Sequence, residues 1–193
     1  MEVLVILNAA KINVSFCNTN KKHRQAKENI LNTYNTKKFN SVIFVNDNHQ
    51  YDKDSFEFKF VPSHADSLEE NLLDIDYLSS FKSYEFVEKD KMDWLHGSTA
   101  SDILKKVGAK KVYVCGGIMS LDVLPTCLGM IDAKIEPILL KDCVYDVHDE
   151  INDLCINYLR FIGVNIYEEV RYNAIDKRVP IIESDRKDGQ GSV

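Results

Sequence analysis

Short runs of Val, Ile and Leu at 2–7, 41–45, 58–61, 84–87, 111–115, 135–140 and 164–167 are separated by amphipathic stretches of helical period. That alternation is the pattern of strand and crossover helix, because parallel strands must be joined by connections long enough to return along the sheet. It predicts an α/β protein, a three-layer α/β/α fold around a mostly parallel sheet of about six strands. At 193 residues, 45% of them hydrophobic, the chain supplies one substantial core and no second full domain.

The charged and apolar stretch at 22–34 predicts one helix on a face of the sheet, and Ser67 with Glu70 forms a capping box opening another toward Leu78. A helix over 99–107 ends at Gly108, and one over 146–162 sets Val147, Ile151, Leu154, Tyr158 and Phe161 on one stripe before Gly163. Periodicity weakens from Glu168, so residues 1–168 are expected to form the α/β domain and 169–193 a C-terminal extension, partly a flexible tail. Within it, 178–183 is a candidate for packing on a partner subunit.

The net charge of -6, with lysines scattered among acids, gives no footprint for nucleic acid. No apolar run approaches the ~20 residues of a membrane span, and the N-terminus reads as a strand instead of a leader. Cys17, Cys115, Cys127, Cys143 and Cys155 show no C-x-x-C spacing, which argues against a disulfide framework or zinc knuckle and for a reduced, cytoplasmic setting.

In an open parallel sheet the ligand lies beyond the carboxyl ends of the strands, so the residues that follow each strand are the candidates for chemistry. They are Asn8, the run Asn46-Asp47-Asn48-His49, Lys89, and the turn from Cys115 to Asp122. Asp47 and His49 project to one side of an extended segment and, with His64, form a candidate divalent-metal set; a solvated loop with two unrelated histidines is the plainer alternative. Gly116 and Gly117 precede a helix, so the amides of Gly117, Ile118 and Met119 are candidate oxyanion donors, although Gly-Gly after a strand is also an ordinary tight turn. Lys89 and Asn8 read by default as a surface lysine and a loop-bonding amide. Trp94 reads as a loop aromatic, either lining the pocket or exposed with Tyr51 and Tyr172 as a contact.

Taken together, these strand ends resemble the isochorismatase and nicotinamidase family of cysteine hydrolases, from the first strand to about Tyr167. The segment "VYVCGGIMSLDVLPTCLGMIDAKIEPILLKDCVYD" is similar to the family's strand, Cys-Gly turn, nucleophile and Val, Thr four residues later, and an Asp closing the next strand; Val123, Thr126 and Asp142 fall in step. "FVNDNHQYDKDSF" and "VPSHAD" resemble the family's metal-binding segments at Asp47, His49 and His64, which implies a divalent metal, Zn²⁺ or similar.

The family triad is Asp, Lys and Cys. "FVEKDKMDW" places Lys89 on its lysine, whereas Asn8 stands at the Asp position and Asp122 at the Cys position. An amide is no proton acceptor at neutral pH and a carboxylate is a far weaker nucleophile than a thiolate, so the resemblance implies a triad degenerate for covalent thiol catalysis. The leading expectation is a family member that binds a small-molecule ligand or a partner without thiol catalysis. The alternative is a metal-assisted hydrolase of a nicotinamide-like amide or isochorismate-like enol ether, with Asp122 and Lys89 as its acid and base groups. An interaction subunit with a vestigial pocket is a third reading. The resemblance also implies a homo-oligomer.

Overall fold

The computed structural model describes residues 1–10, 19–47, 73–89, 93–95 and 99–168. In chain order these form β1 (Glu2–Leu7), α1 (Thr19–Thr36), β2 (Ser41–Asp47), α2 (Ile75–Ser79), β3 (Glu85–Lys89), α3 (Ala100–Lys106) and β4 (Lys111–Gly117). A π-helical turn (Met119–Val123) then leads into α4 (Leu124–Asp132), followed by β5 (Glu136–Tyr145), α5 (Asp149–Phe161) and β6 (Asn165–Tyr167). The six strands make one parallel sheet in the order β3-β2-β1-β4-β5-β6.

Successive side chains of a strand point to opposite faces, and here both faces are buried, which explains the unbroken apolar runs. Val3, Val5 and Leu7 with Ile43, Val45, Val112 and Val114 pack beneath α3, α4 and α5. Leu4, Ile6, Val42, Phe44 and Tyr113 pack beneath α1 and α2, where Phe44, Tyr77 and Phe81 meet edge to face. Burial of each large apolar side chain contributes roughly 1.5–3 kcal/mol, so these two layers carry most of the stability. Among the described residues no helix is long and apolar enough to cross a membrane.

Several expectations are corrected. β5 extends to Tyr145 instead of stopping at 140, because a bulge absorbs the polar Lys141-Asp142 pair: Val114 pairs with Leu139, yet Gly116 pairs with Val144. Asp142 is therefore exposed mid-strand, and Asp146 is the acid that follows the strand. The helix reaching Leu78 starts at Ile75, where the Asp74 side chain accepts the Tyr77 N–H at 3.0 Å. Ser67 and Glu70 lie outside the described residues, as do the strand expected at 58–61, Cys17, Tyr51, Tyr172 and the 169–193 extension. Trp94 is buried in the core beneath α4 instead of exposed, its backbone N–H directed at the Thr126 hydroxyl, 3.4 Å away. On α5 the buried residues are Cys155, Ile156 and Leu159, while the stripe of Ile151, Leu154, Tyr158 and Phe161 faces outward.

Candidate functional site

Strand order reverses between β1 and β4: the chain builds outward through β2 and β3 on one side, then returns to add β4, β5 and β6 on the other. A crevice opens at such a switch point because the following segments leave in opposite directions. Asn8 stands there at the end of β1, turning the chain with φ of 50°, a left-handed conformation that asparagine tolerates better than most residues. Its N–H donates to the Val45 carbonyl at 2.8 Å. Opposite, Gly116 has φ of 97°, and a Cβ there would lie 1.9 Å from the Leu7 carbonyl oxygen, so only glycine lets β4 approach β1. A Cβ on Gly117 would meet the Tyr145 ring at 2.4 Å, so that ring lies directly against the turn.

Lys89 and Asp122 come together. Lys89 ends β3, which the sheet order places three strands from β4, roughly 14 Å at the ~4.8 Å strand spacing. The π-helical turn after β4 carries Asp122, and the long lysine stem spans the remaining gap: Nζ lies 2.5 Å from Asp122 Oδ1. Both residues are buried, at 3% and 5% exposure. The other carboxylate oxygen, Oδ2, accepts the Ile118 N–H at 2.8 Å. Ile118, a candidate oxyanion donor, thus gives its amide to the chain's own carboxylate. Met119 is buried in the core.

Asp146 holds the same turn from the other side. Its Oδ2 accepts the Ser120 N–H and its Oδ1 the Val147 N–H, each at 2.7 Å. The Ser120 bond ties the turn on which Asp122 sits to the end of β5, while the Val147 bond orients the Asp146 carboxylate itself. Asp146 escaped the sequence reading because the Lys141-Asp142 pair looked like the strand's end; the apolar Cys143-Val144-Tyr145 that follows was the available signal.

On the α1 side of the turn, Ala26, Ile118 and Tyr145 form a small cluster, and the His23 ring stands 5.2 Å from that of Tyr145. Burial, reinforced by the Lys27 ammonium, pushes the His23 pKa down to about 4, against a weaker upward pull from Asp74. Lys27 pairs with Asp74 at 2.5 Å and stands over the Tyr77 ring, 4.2 Å from its centroid. Nothing in the linear sequence distinguishes His23 from a surface histidine in a charged helix.

Asn46, 2% exposed near the carboxyl end of β2, holds both its side-chain nitrogen and oxygen without a hydrogen-bond partner among the described residues. Leu7 pairs with Val45, so Asn46 is the β2 neighbour of Asn8. Leaving buried donors and acceptors unmet costs about 1–3 kcal/mol. Asn46→Leu, which keeps the branching and the number of side-chain heavy atoms, is therefore expected to leave folding stability unchanged or to raise it by about 1 kcal/mol. Urea denaturation checks this: a loss above about 1 kcal/mol would mean that the amide makes a structural bond.

Of the candidate metal ligands, Asp47 closes β2 with its backbone in register with Lys89, while His49 and His64 lie outside the described residues. The described residues alone contain no group of three His, Cys, Asp or Glu suited to a metal. Neither nearby cysteine offers a replacement nucleophile. Burial pushes the Cys127 thiol up to about 12 and raises that of Cys115 well above the ordinary range, and Cys115 Sγ donates to the Val5 carbonyl at 3.4 Å.

A six-stranded parallel sheet with helices on both faces, and a buried lysine-carboxylate pair beyond the carboxyl ends of its strands, defines a three-layer α/β protein. The chain belongs to the isochorismatase domain family, whose model matches residues 3–168. Among solved structures it is similar to a nicotinamidase from Bacillus subtilis, with a TM-score of 0.72 at 15% identity over 87% of this chain and 99% of that one. A pyrazinamidase/nicotinamidase from Streptococcus mutans gives 0.71 at 17% identity over 86% and 100%. The pyrazinamidase of Pyrococcus horikoshii, solved in complex with zinc, gives 0.64 at 16% over 87% and 99%. At such identities the likeness is one of fold. No curated protein matches the sequence.

Proposed function

We propose that this protein is an isochorismatase-family member that has lost covalent thiol catalysis and binds a small ligand at the switch-point crevice. The observation that carries the reading is the placement of the Asp122 carboxylate, with one oxygen on the Lys89 ammonium and the other on the Ile118 N–H. In a thiol hydrolase the lysine favours the thiolate and the turn's amides stabilise the oxyanion formed when it attacks. Here a carboxylate fixed to the chain engages both a cation and an amide of those kinds. A substrate oxyanion would have to displace it, leaving a buried carboxylate without its ammonium, which costs several kcal/mol. Asn8, at the position of the family's general base, brings no proton acceptor.

Retention of binding is supported by the Asn46 amide, whose donors and acceptor can serve a planar neutral group such as a carboxamide. Asp47, with His49 and His64, remains a candidate ligand set for a divalent ion; no step of the present reading depends on it.

Purified protein is expected to release no ammonia from nicotinamide or pyrazinamide, and no product from isochorismate, between pH 5 and pH 9, in chromatographic assays with and without added zinc. Hydrolysis above background that vanishes in Asp122→Ala would overturn the reading in favour of an enzyme that uses Asp122 and Lys89 for acid-base work. Nicotinamide, as a probe carboxamide, is expected to bind measurably by calorimetry to the native chain and to lose affinity at least about tenfold in Asn46→Leu.

A further inference from the structure

α5 starts beside the π-helical turn and ends where the chain turns into β6, and the sheet takes only part of its apolar arc. At 100° per residue, Cys155, Ile156 and Leu159 pack inward. Ile151, Leu154, Tyr158 and Phe161 stay outside, with Leu154 64% and Phe161 87% exposed. Beyond Phe161 a groove of about 340 Å³ lies between the ends of α4 and α5, lined in part by Ile131, Lys134, Ile135, Ile162 and Val164. An exposed apolar stripe that runs into an apolar groove marks a surface that something covers.

We infer that the chain's own C-terminal segment covers it, with the run Val179-Pro180-Ile181-Ile182 laid over Phe161 and Ile162 and one of its isoleucines in the groove. Three features favour this occupant. The first is where the chain is delivered. Glu168, the last described residue, is held against the final turn of α5, its Oε1 accepting from Arg160 at 3.2 Å and from Lys141 at 3.0 Å. The residues after it therefore set out beside Phe161. Val179 lies 11 positions beyond Glu168, a reach of up to about 36 Å, whereas the whole stripe from Ile151 to Phe161 is about 15 Å long. A segment on so short a tether meets its own face at millimolar effective concentration, which a free partner rarely reaches. The second feature is composition. Val179 to Ile182 is the longest apolar run after Glu168, and Pro180 restricts Val179 to the extended backbone that a groove admits. The third is charge. Glu183 and Asp185 follow the run, and Lys134 stands on the groove that the run enters. Laying the isoleucines against Phe161 removes apolar surface from water on both sides of the contact.

Photochemical cross-linking of the full chain tests the inference. Phe161 is replaced by the photoreactive benzoylphenylalanine, which the exposure of the site tolerates, and equal amounts of ¹⁵N-labelled and unlabelled protein are mixed before irradiation. Mass spectrometry is expected to find position 161 joined to 178–183 within one chain, in peptides of a single isotopic composition. That product should fall at least about tenfold when Ile181→Glu/Ile182→Glu is added, as loss of the central contact does. Trypsin gives a second reading without the photoreactive group. Cleavage after Arg178 is expected to be at least about tenfold faster in Phe161→Ser than in the native chain, although the substitution is far along the sequence from the cleaved bond. No intrachain product at 178–183 overturns the inference, and a product that only joins two chains does so in favour of a second copy on this face. Equal cleavage of the native and Phe161→Ser chains overturns it as well.

Discussion

Lys89→Met is expected to lower folding stability by about 3–5 kcal/mol, the usual consequence of removing one partner from a buried ion pair. Lys89 and Asp122 are both withdrawn from water, and their contact is short, at 2.5 Å. Without the ammonium, the Asp122 carboxylate must stay ionised in a poorly solvated site, take up a proton, or drag the π-helical turn toward solvent. Each route costs free energy, and the Ile118 N–H compensates only part of it. The double variant Lys89→Met/Asp122→Leu removes both charges and is expected to recover most of the loss, since a well-packed apolar pair of similar volume is often neutral relative to the ion pair it replaces. Urea denaturation of the two single variants and the double variant gives the coupling between them. A Lys89→Met loss below about 1 kcal/mol would mean that solvent reaches the pair and that the Asp122 carboxylate is not locked in place.

The second large effect is a loss of stability in mild acid that traces to His23. The folded chain holds this imidazole at a pKa of about 4, whereas in the unfolded chain it titrates near 6.5. Above pH 6.5 both states carry it neutral and it makes no pH-dependent contribution. Between pH 6.5 and pH 4 the unfolded state binds the proton and the folded state does not, so stability falls with falling pH, by about 3 kcal/mol across that window. Below pH 4 both states are protonated and the contribution levels off. The main cause is burial against Ala26 and Tyr145, and Lys27 one turn along α1 adds repulsion to the charged form. His23→Leu should flatten this part of the profile, read as the difference between native and variant urea midpoints at pH 7 and pH 4.5. Parallel profiles for the two proteins would show that the ring is hydrated and titrates normally.

Both effects depend on groups that the linear sequence treats very differently. Lys89 and Asp122 could be singled out because each lies in the segment that follows an apolar run, and an open parallel sheet places such segments at the ligand-binding end of the sheet. The family resemblance, which sets both at triad positions, implied that they face each other, but local periodicity could not show their contact at 2.5 Å. That contact requires the order β3-β2-β1-β4 and a turn that leans back across it, both products of tertiary packing. His23 and Asn46 carried no comparable sign. A histidine in "KKHRQAK" and an asparagine ahead of Asp47 are ordinary in solvent, and only the packing of α1 on the sheet and the depth of the β2 end bury them. Asp142 shows the opposite failure: counting residues without a gap placed an acid at the end of β5, and a bulge invisible to counting moved that role to Asp146.

The apolar arc of α5 makes the same point about surfaces. Helical period correctly groups Ile151, Leu154, Tyr158 and Phe161 on one stripe, but period alone does not say which part of a wide arc faces the sheet. Cys155, Ile156 and Leu159 take that side, and the remainder stays exposed.

By itself, the sequence determined that this is a parallel α/β chain, where most of its strands start, and that an aspartate follows the fourth strand's turn. Those features rest on local periodicity and on which side chains tolerate a buried strand. Tertiary structure alone decided what the aspartate does. Strand order and the π-helical turn bring Asp122 between the Lys89 ammonium and the Ile118 amide, and an interaction between groups so distant along the chain exists only once the sheet has closed them together.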